Sequence, residues 1–185
     1  MPSYPKFIAD AMLGHVVRWL RLLGYDTTYY RIIEDWKLIR IAKEEDRILL
    51  TRDLGLYRRA RKQNIKALFI EDPDVVKVLA ILSLKYSIRL DFDKNDSRCT
   101  QCNSLLRYTT SLIDISHKVS KDIALKYNEF WICPSCGKVY WQGNHWKTIF
   151  EVLEKAKAEK LKTLSKVKPS EKKIEWLSLS VYEQK

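Results

Sequence analysis

Four cysteines stand in the chain as two identical pairs, Cys99-x-x-Cys102 and Cys133-x-x-Cys136, with thirty residues between the pairs. Two thiolates three positions apart can reach one ion from a tight turn, and two such turns complete the tetrahedron that zinc prefers. The second pair runs Cys133-Pro134-Ser135-Cys136-Gly137. Glycine at that point lets the chain turn so that backbone N–H groups face the sulfurs. One four-thiolate site uses every cysteine in the chain. Redox pairs and disulfides are the rival readings, but a redox pair opens a helix after a strand, and neither pair has that context. A full shell of four thiolates leaves no open position, so the expected zinc is structural.

A second group of residues with chemistry is acidic. Asp10 closes Phe7-Ile8-Ala9, which reads as a short buried strand. Glu34 and Asp35 open a helical stretch. Asp53 closes the strand-like run Arg47-Ile48-Leu49-Leu50-Thr51. Carboxylates brought together repel one another, so such a group needs a cation to stay ionised. A hard divalent ion, Mg²⁺ or Mn²⁺, suits an all-oxygen shell. Such an ion activates water and neutralises charge at a phosphodiester. The structural alternative is as specific: Asp10, Asp35, Asp53 and Asp74 each precede a helix, and Asp is a favoured N-cap. An Asp that ends a strand can serve both roles.

The elements that must position these groups follow from periodicity. Met12 to Leu23 is helical, with Leu13, Val16, Val17, Leu20 and Leu23 on one face, and Gly24 stops it. Tyr25 to Ile33 contains a strand, and a second helix runs from Glu34 to about Glu45. The strand ending at Asp53 is followed by a basic helix, Leu54 to Gln63. Ala67 to Ile70 is a strand, and Asp74 caps a helix to about Tyr86. Strands alternating with helices indicate an α/β fold, a parallel sheet covered by helices. Ligands of such sheets gather at the carboxyl ends of the strands, which is where the acids fall. Residues 91–98 are polar and read as a linker, the cysteine ribbon follows, and Lys147 to Leu164 reads as a charged helix. The expected units are therefore 1–92, the ribbon at 97–146, and a C-terminal helix and tail at 147–185.

Three stretches together carry a family resemblance: FIADAMLGHVVRWLRLLGYD, RILLTRD, and a two-knuckle ribbon ending CGKVYWQGNHW. In order and spacing they resemble the Mut-seven C-terminal RNase family, over residues 6 to about 150. The resemblance implies a PIN-like nuclease fold with an appended zinc ribbon. It implies a metal-dependent ribonuclease in which Asp10, Asp35 (or Glu34) and Asp53 hold Mg²⁺ or Mn²⁺. A fourth acid just beyond the third has no counterpart in Leu54-Gly55-Leu56, and Asp72, after the next strand, stands in for it.

Net charge is +11. It is spread along the chain and points to a polyanionic partner, most often nucleic acid; the resemblance implies RNA. Arg18, Arg21, Arg52, Arg58 and Arg59 are candidate phosphate contacts, because a guanidinium fork matches phosphate oxygens. His145 is a candidate phosphate contact or general acid. The neighbouring tryptophans could stack bases or pack the ribbon onto the sheet. No apolar run approaches a membrane span, and the N-terminus has no signal-like apolar region, so a cytoplasmic protein is expected. Two other classes fit the same residues. One is a non-catalytic RNA- or ribosome-binding protein. The other is an interaction module for RNA-processing proteins, with docking surfaces on the ribbon and around Trp176.

Overall fold

The computed structural model describes residues 4–166. The tail with Ile174, Trp176, Leu177 and Leu179, read above as a docking surface, lies outside the described residues. The first half alternates as expected: β1 (Phe7–Ala9), α1 (Gly14–Leu22), β2 (Thr27–Tyr29), α2 (Asp35–Glu44), β3 (Ile48–Thr51), α3 (Leu54–Lys62), β4 (Ala67–Phe69) and α4 (Val75–Tyr86). A 3₁₀ turn, Ala11–Leu13, leads into α1. The four strands form one parallel sheet in the order β2-β1-β3-β4. Successive side chains on a strand point to opposite faces, and both faces here are covered. Phe7, Ala9, Ile48 and Leu50 join α1 and α4 in one core. Ile8 and Leu49 join α2 and α3 in the other. This is why Phe7-Ile8-Ala9 shows no polar alternation: all three are fully buried.

The ribbon is an antiparallel sheet, β5 (Arg107–Thr109), β6 (Phe130–Ile132) and β7 (Val139–Trp141). Two short helices, α5 (Leu112–Ile115) and α6 (Lys121–Lys126), fill the interval between the cysteine pairs. Ile115, Phe130, Ile132 and Val139 give the ribbon a small core of its own. The last helix, α7 (His145–Lys166), begins two residues before the expected start. It does not stand apart from the first half. Ile149, Leu153 and Ala156 enter the same core as α1 and α4, and Lys160 Nζ donates to Ser83 Oγ at 3.0 Å.

The polar stretch 91–98 also packs against the sheet domain through Phe92, Ser97 and Arg98, while its acids face solvent. Phe92 joins the first core, and Ser97 donates to the Leu22 carbonyl at 2.7 Å. The stretch crosses Gly24 so closely that a Cβ there would lie 2.7 Å from the Asp96 carbonyl oxygen. Gly24 also has φ +89°, so both its conformation and its lack of a side chain are required.

Candidate active site

Asp10 follows β1, and Thr51 ends β3, the strand beside it. Asp10 is only 7% exposed, and its carboxylate accepts three hydrogen bonds. Oδ1 accepts from the Met12 N–H at 2.9 Å, capping the 3₁₀ turn. Oδ2 accepts from the Thr51 hydroxyl at 2.6 Å and from the Arg52 N–H at 2.7 Å. The Thr51 hydroxyl in turn accepts from the Asp53 N–H at 2.9 Å. Asp53 Oδ1 accepts from the Leu56 N–H at 2.8 Å and so caps α3. One threonine hydroxyl thus links the Asp10 carboxylate to the Asp53 backbone N–H. The cap reading of Asp10 and Asp53 is borne out.

Asp35 is the first residue of α2 and pairs with Arg59 of α3. Arg59 Nη1 lies 3.5 Å, and Asp53 Oδ1 3.0 Å, from the point a Cβ on Gly55 would take. Arg59, read from the sequence as a candidate phosphate contact, therefore reaches from Asp35 toward Asp53. A cation already serves this acidic group. Glu34 precedes α2, is exposed and pairs with Lys37 at 2.7 Å, which holds its carboxyl below the usual range. Asp72 is likewise exposed and pairs with Lys77 at 2.6 Å, with the same effect on its acidity. Among the described residues these carboxylates do not converge on one point. The four thiols are the group of metal-binding side chains that does.

The four sulfurs lie within 4.8 Å of one another. Cys99 and Cys136 approach to 3.5 Å, and Cys102 and Cys133 to 3.2 Å. The sulfurs of a zinc tetrahedron stand about 3.8 Å apart, so the donor set fits that ion. Cys99 and Cys133 are buried while Cys102 and Cys136 are exposed. Each pair is followed by a left-handed residue, Asn103 at φ +73° and Gly137 at φ +74°. The Cys136 N–H points at the Cys133 sulfur, 3.4 Å away. Burial pushes the Cys102 thiol up, but the Ser104 N–H and the neighbouring thiols outweigh it and bring it down to about 6, toward the ligating thiolate.

The family model described as the Mut7-C RNAse domain matches residues 5–153. The chain belongs to the Mut7-C RNAse domain family. No curated protein and no solved structure matches it detectably. The match spans the sheet, the ribbon and the first turns of α7, so the Mut7-C RNAse domain includes all three. No helix among its described residues is long and apolar enough to cross a membrane.

The candidate arginines of this Mut7-C RNAse domain have different placements. Arg21 is 4% exposed and faces inward. Its Nε donates to the Thr27 carbonyl at 2.9 Å, and Nη1 donates to the carbonyls of Thr100 and Gln101 at 3.2 and 2.9 Å. It holds the first cysteine turn against β2 and cannot meet a phosphate from there. Helical periodicity placed it on the polar side of α1, and that side is covered by the ribbon. Burial lowers its pKa, and the charges of Cys99 and Cys102 pull it back up. Four thiolates on one zinc would carry two net negative charges, which the Arg21 guanidinium beside the first cysteine turn would partly offset. Arg52 gives its N–H to Asp10, and its Nη2 reaches the Glu71 carbonyl at 3.5 Å. Its buried Nε has no partner among the described residues. Arg58 is exposed on α3, whereas Arg18 and His145 are exposed at a cleft between α1 and the ribbon, away from the carboxylates.

Three positioning residues escaped the sequence reading. Asn103 Oδ1 accepts from the Thr27 N–H at 3.0 Å, and its Nδ2 donates to Asp26 at 2.7 Å. Tyr140 places its hydroxyl 3.2 Å from the Cys99 sulfur and accepts from the Thr100 N–H. Thr51 joins Asp10 to Asp53. Only Asn103 left a sequence signal: asparagine tolerates the left-handed conformation that the position after a cysteine pair needs.

Proposed function

We propose that the chain is a metal-dependent ribonuclease that hydrolyses RNA phosphodiester bonds at the carboxyl end of the parallel sheet. The observation that carries this is the hydrogen-bonded unit Asp10–Thr51–Asp53 on neighbouring strands of an RNase-family domain. Oxygen donors suit Mg²⁺ or Mn²⁺, and Asp10, Asp35 and Asp53, which do not converge in this structure, would have to close on the ion to hold it. An ionised carboxylate has about four lone-pair sites, so Asp10 with three donors keeps one and Asp53 keeps more. Such an ion, when bound, supplies activation of water and neutralisation of phosphate charge. The protein supplies the rest. Met12, Thr51 and Arg52 fix the Asp10 carboxylate in one orientation. The Thr51 hydroxyl ties that orientation to Asp53. Arg59 neutralises Asp35, and Arg52, Arg58 and Arg59 offer forks to RNA phosphates. The four cysteines hold a structural zinc that fixes the ribbon beside α1.

One observation favours a second reading, an RNA- or ribosome-binding protein without cleavage: Arg59 already pairs with Asp35, so the acids have a cation without a metal. The deciding experiment incubates the purified chain with single-stranded and structured RNAs, with and without Mn²⁺, beside Asp53→Asn. Asparagine retains the α3 cap, because it caps as well as aspartate. Metal-dependent cleavage that falls about a hundredfold or more in Asp53→Asn, with folding and RNA affinity kept, supports the nuclease. Equal cleavage by both proteins refutes the carboxylate mechanism. RNA binding with no cleavage under any metal supports the second reading.

A further inference from the structure

A cleft of about 400 Å³ opens between α1, the 91–98 stretch and the ribbon. That volume suits a small molecule or one residue of a polymer, since small-ligand sites run from about 300 to 1,000 Å³. Four of the chain's six tryptophans line it, Trp19, Trp131, Trp141 and Trp146. Trp19 and Trp146 pack against the sheet core on one side, and Trp141 packs against the ribbon core. Trp146 docks the ribbon: it meets Phe92 edge-on at 4.9 Å and Trp131 at 6.0 Å. One face of Trp131 is covered by the Lys94 ammonium, 5.0 Å from the ring centre. Trp19, by contrast, has no ring partner among the described residues. Trp141 has one, Tyr127, tilted and 6.5 Å away. Both are half-buried and line the cleft, so each has apolar ring surface left for a ligand.

The charge of the cleft is one-sided. No residue lining it is acidic, while Arg18, Lys94, Arg98 and Lys138 are cationic. Two of these are held by the protein. Lys94 pairs with Glu129 at 2.9 Å, and Arg98 donates to the carbonyls of Gly24 and Asn103. Arg18 and Lys138 are exposed and pair with no carboxylate among the described residues. A ligand that satisfies both features is a planar ring carrying a negative charge. Rings stack on indoles whatever the base identity, and phosphates take the cations.

We propose that this cleft binds one unpaired nucleotide of a single-stranded RNA, its base against Trp19 and Trp141 and its phosphate on Arg18 and Lys138. The choice of RNA over other anionic aromatic ligands rests on the ribonuclease reading; the cleft itself does not. Arg18 lies eight positions beyond Asp10 along one helical path, roughly 12–14 Å. A strand anchored in the cleft and following α1 arrives at the carboxylates. A duplex cannot give up a base to so small an opening without unpairing, so the cleft selects unpaired RNA.

The test uses the full chain without added divalent ions, so that the strand stays intact and binding is read apart from cleavage. Fluorescence anisotropy compares labelled octauridylate with an abasic octamer of the same backbone. The abasic strand should bind about tenfold more weakly or worse, because base stacking is lost. Arg18→Glu with Lys138→Glu, both exposed, should weaken octauridylate at least tenfold and flatten its salt dependence by about two counterions. Bromouridine in the octamer should photo-cross-link to peptides containing Trp19 or Trp141, a readout that needs no variant. Equal affinity for the abasic strand, or cross-links confined to α2 and α3, overturns the proposal. So does full displacement by free uridine monophosphate at the oligomer's own concentration, which would assign the cleft to a free nucleotide. A protein that cross-links at these tryptophans yet cleaves nothing refutes the ribonuclease reading alone.

Discussion

Replacing Arg21 by methionine separates the two uses an arginine on α1 could have. The guanidinium is buried and donates three hydrogen bonds to carbonyls, one on β2 and two in the first cysteine turn. Hydrogen bonds to a charged group contribute about 1.5–3 kcal/mol each. Against them stands the cost of burying the charge, visible in the lowering of the Arg21 pKa by burial. Methionine keeps most of the apolar stem but leaves three carbonyls unsatisfied and removes a cation beside Cys99 and Cys102. Breaking a buried charged contact by removing one partner costs about 3–5 kcal/mol. For a chain of this size each kcal/mol lowers Tm by about 2–4 °C, so Arg21→Met should melt about 12 °C lower. Thermal denaturation followed by circular dichroism measures this, with Arg18→Ala as the control. Arg18 is exposed on the same helix and should change stability by no more than about 0.5 kcal/mol. RNA affinity should show the reverse order, with Arg18→Ala weakening binding more than Arg21→Met measured well below its melting point. An Arg21→Met protein that melts with the wild type, yet loses RNA affinity, would refute the reasoning and restore Arg21 as a phosphate contact.

Other outcomes follow from the same geometry. Asp10→Asn should be less stable than Asp53→Asn by about 1–3 kcal/mol, because the amide must turn an N–H₂ toward groups that already donate to Asp10; urea unfolding of the two variants checks it, and equal midpoints argue against the Asp10 network. Elemental analysis should find one zinc per chain, and Cys133→Ser should expose the amides of 99–143 to hydrogen exchange while those of the sheet stay protected, because the ribbon and sheet cores are separate clusters; metal-free protein with intact protection would contradict the closed thiolate site. Burial would raise the Asp26 carboxyl, but hydrogen bonds from Arg47 and Asn103 hold it below the ordinary 3.8. A depressed carboxylate contributes stability above its unfolded pKa and loses it as pH falls through the folded value, so the Asp26 contribution should begin to fall near pH 3.8 and be lost through the lower folded pKa. Melting curves across that range should show a flatter acid limb in Asp26→Asn, and parallel limbs would exclude the ion pair as a source of acid sensitivity.

The order of elements was legible in the sequence because it depends on neighbours along the chain. Leu13, Val16, Val17 and Leu20 repeat at helical spacing, and all four are buried, Leu13 at the end of the 3₁₀ turn and the others on one face of α1. The cysteine pairs are legible for the same local reason: three-residue spacing brings two sulfurs to one turn, and the four do gather. Asp10, Asp53 and Asp74 each bond the first turn of the helix that follows, as short-range capping chemistry requires. What tertiary structure decided concerns groups whose partners lie far away in the chain. Arg21 sits on the polar side of its helix by periodicity, yet it is buried because Thr100 and Gln101, 79 and 80 residues later, fold over it. Arg59 belongs by composition to an exposed basic run, yet it pairs with Asp35, 24 residues earlier, because α2 and α3 share one face of the sheet. Residues 91–98 carry the composition of a linker, but Ser97 finds a partner on α1 and Phe92 enters the core. Charge and polarity state what a side chain can bond to, whereas its partner is set by packing between elements distant in sequence, which no local pattern encodes.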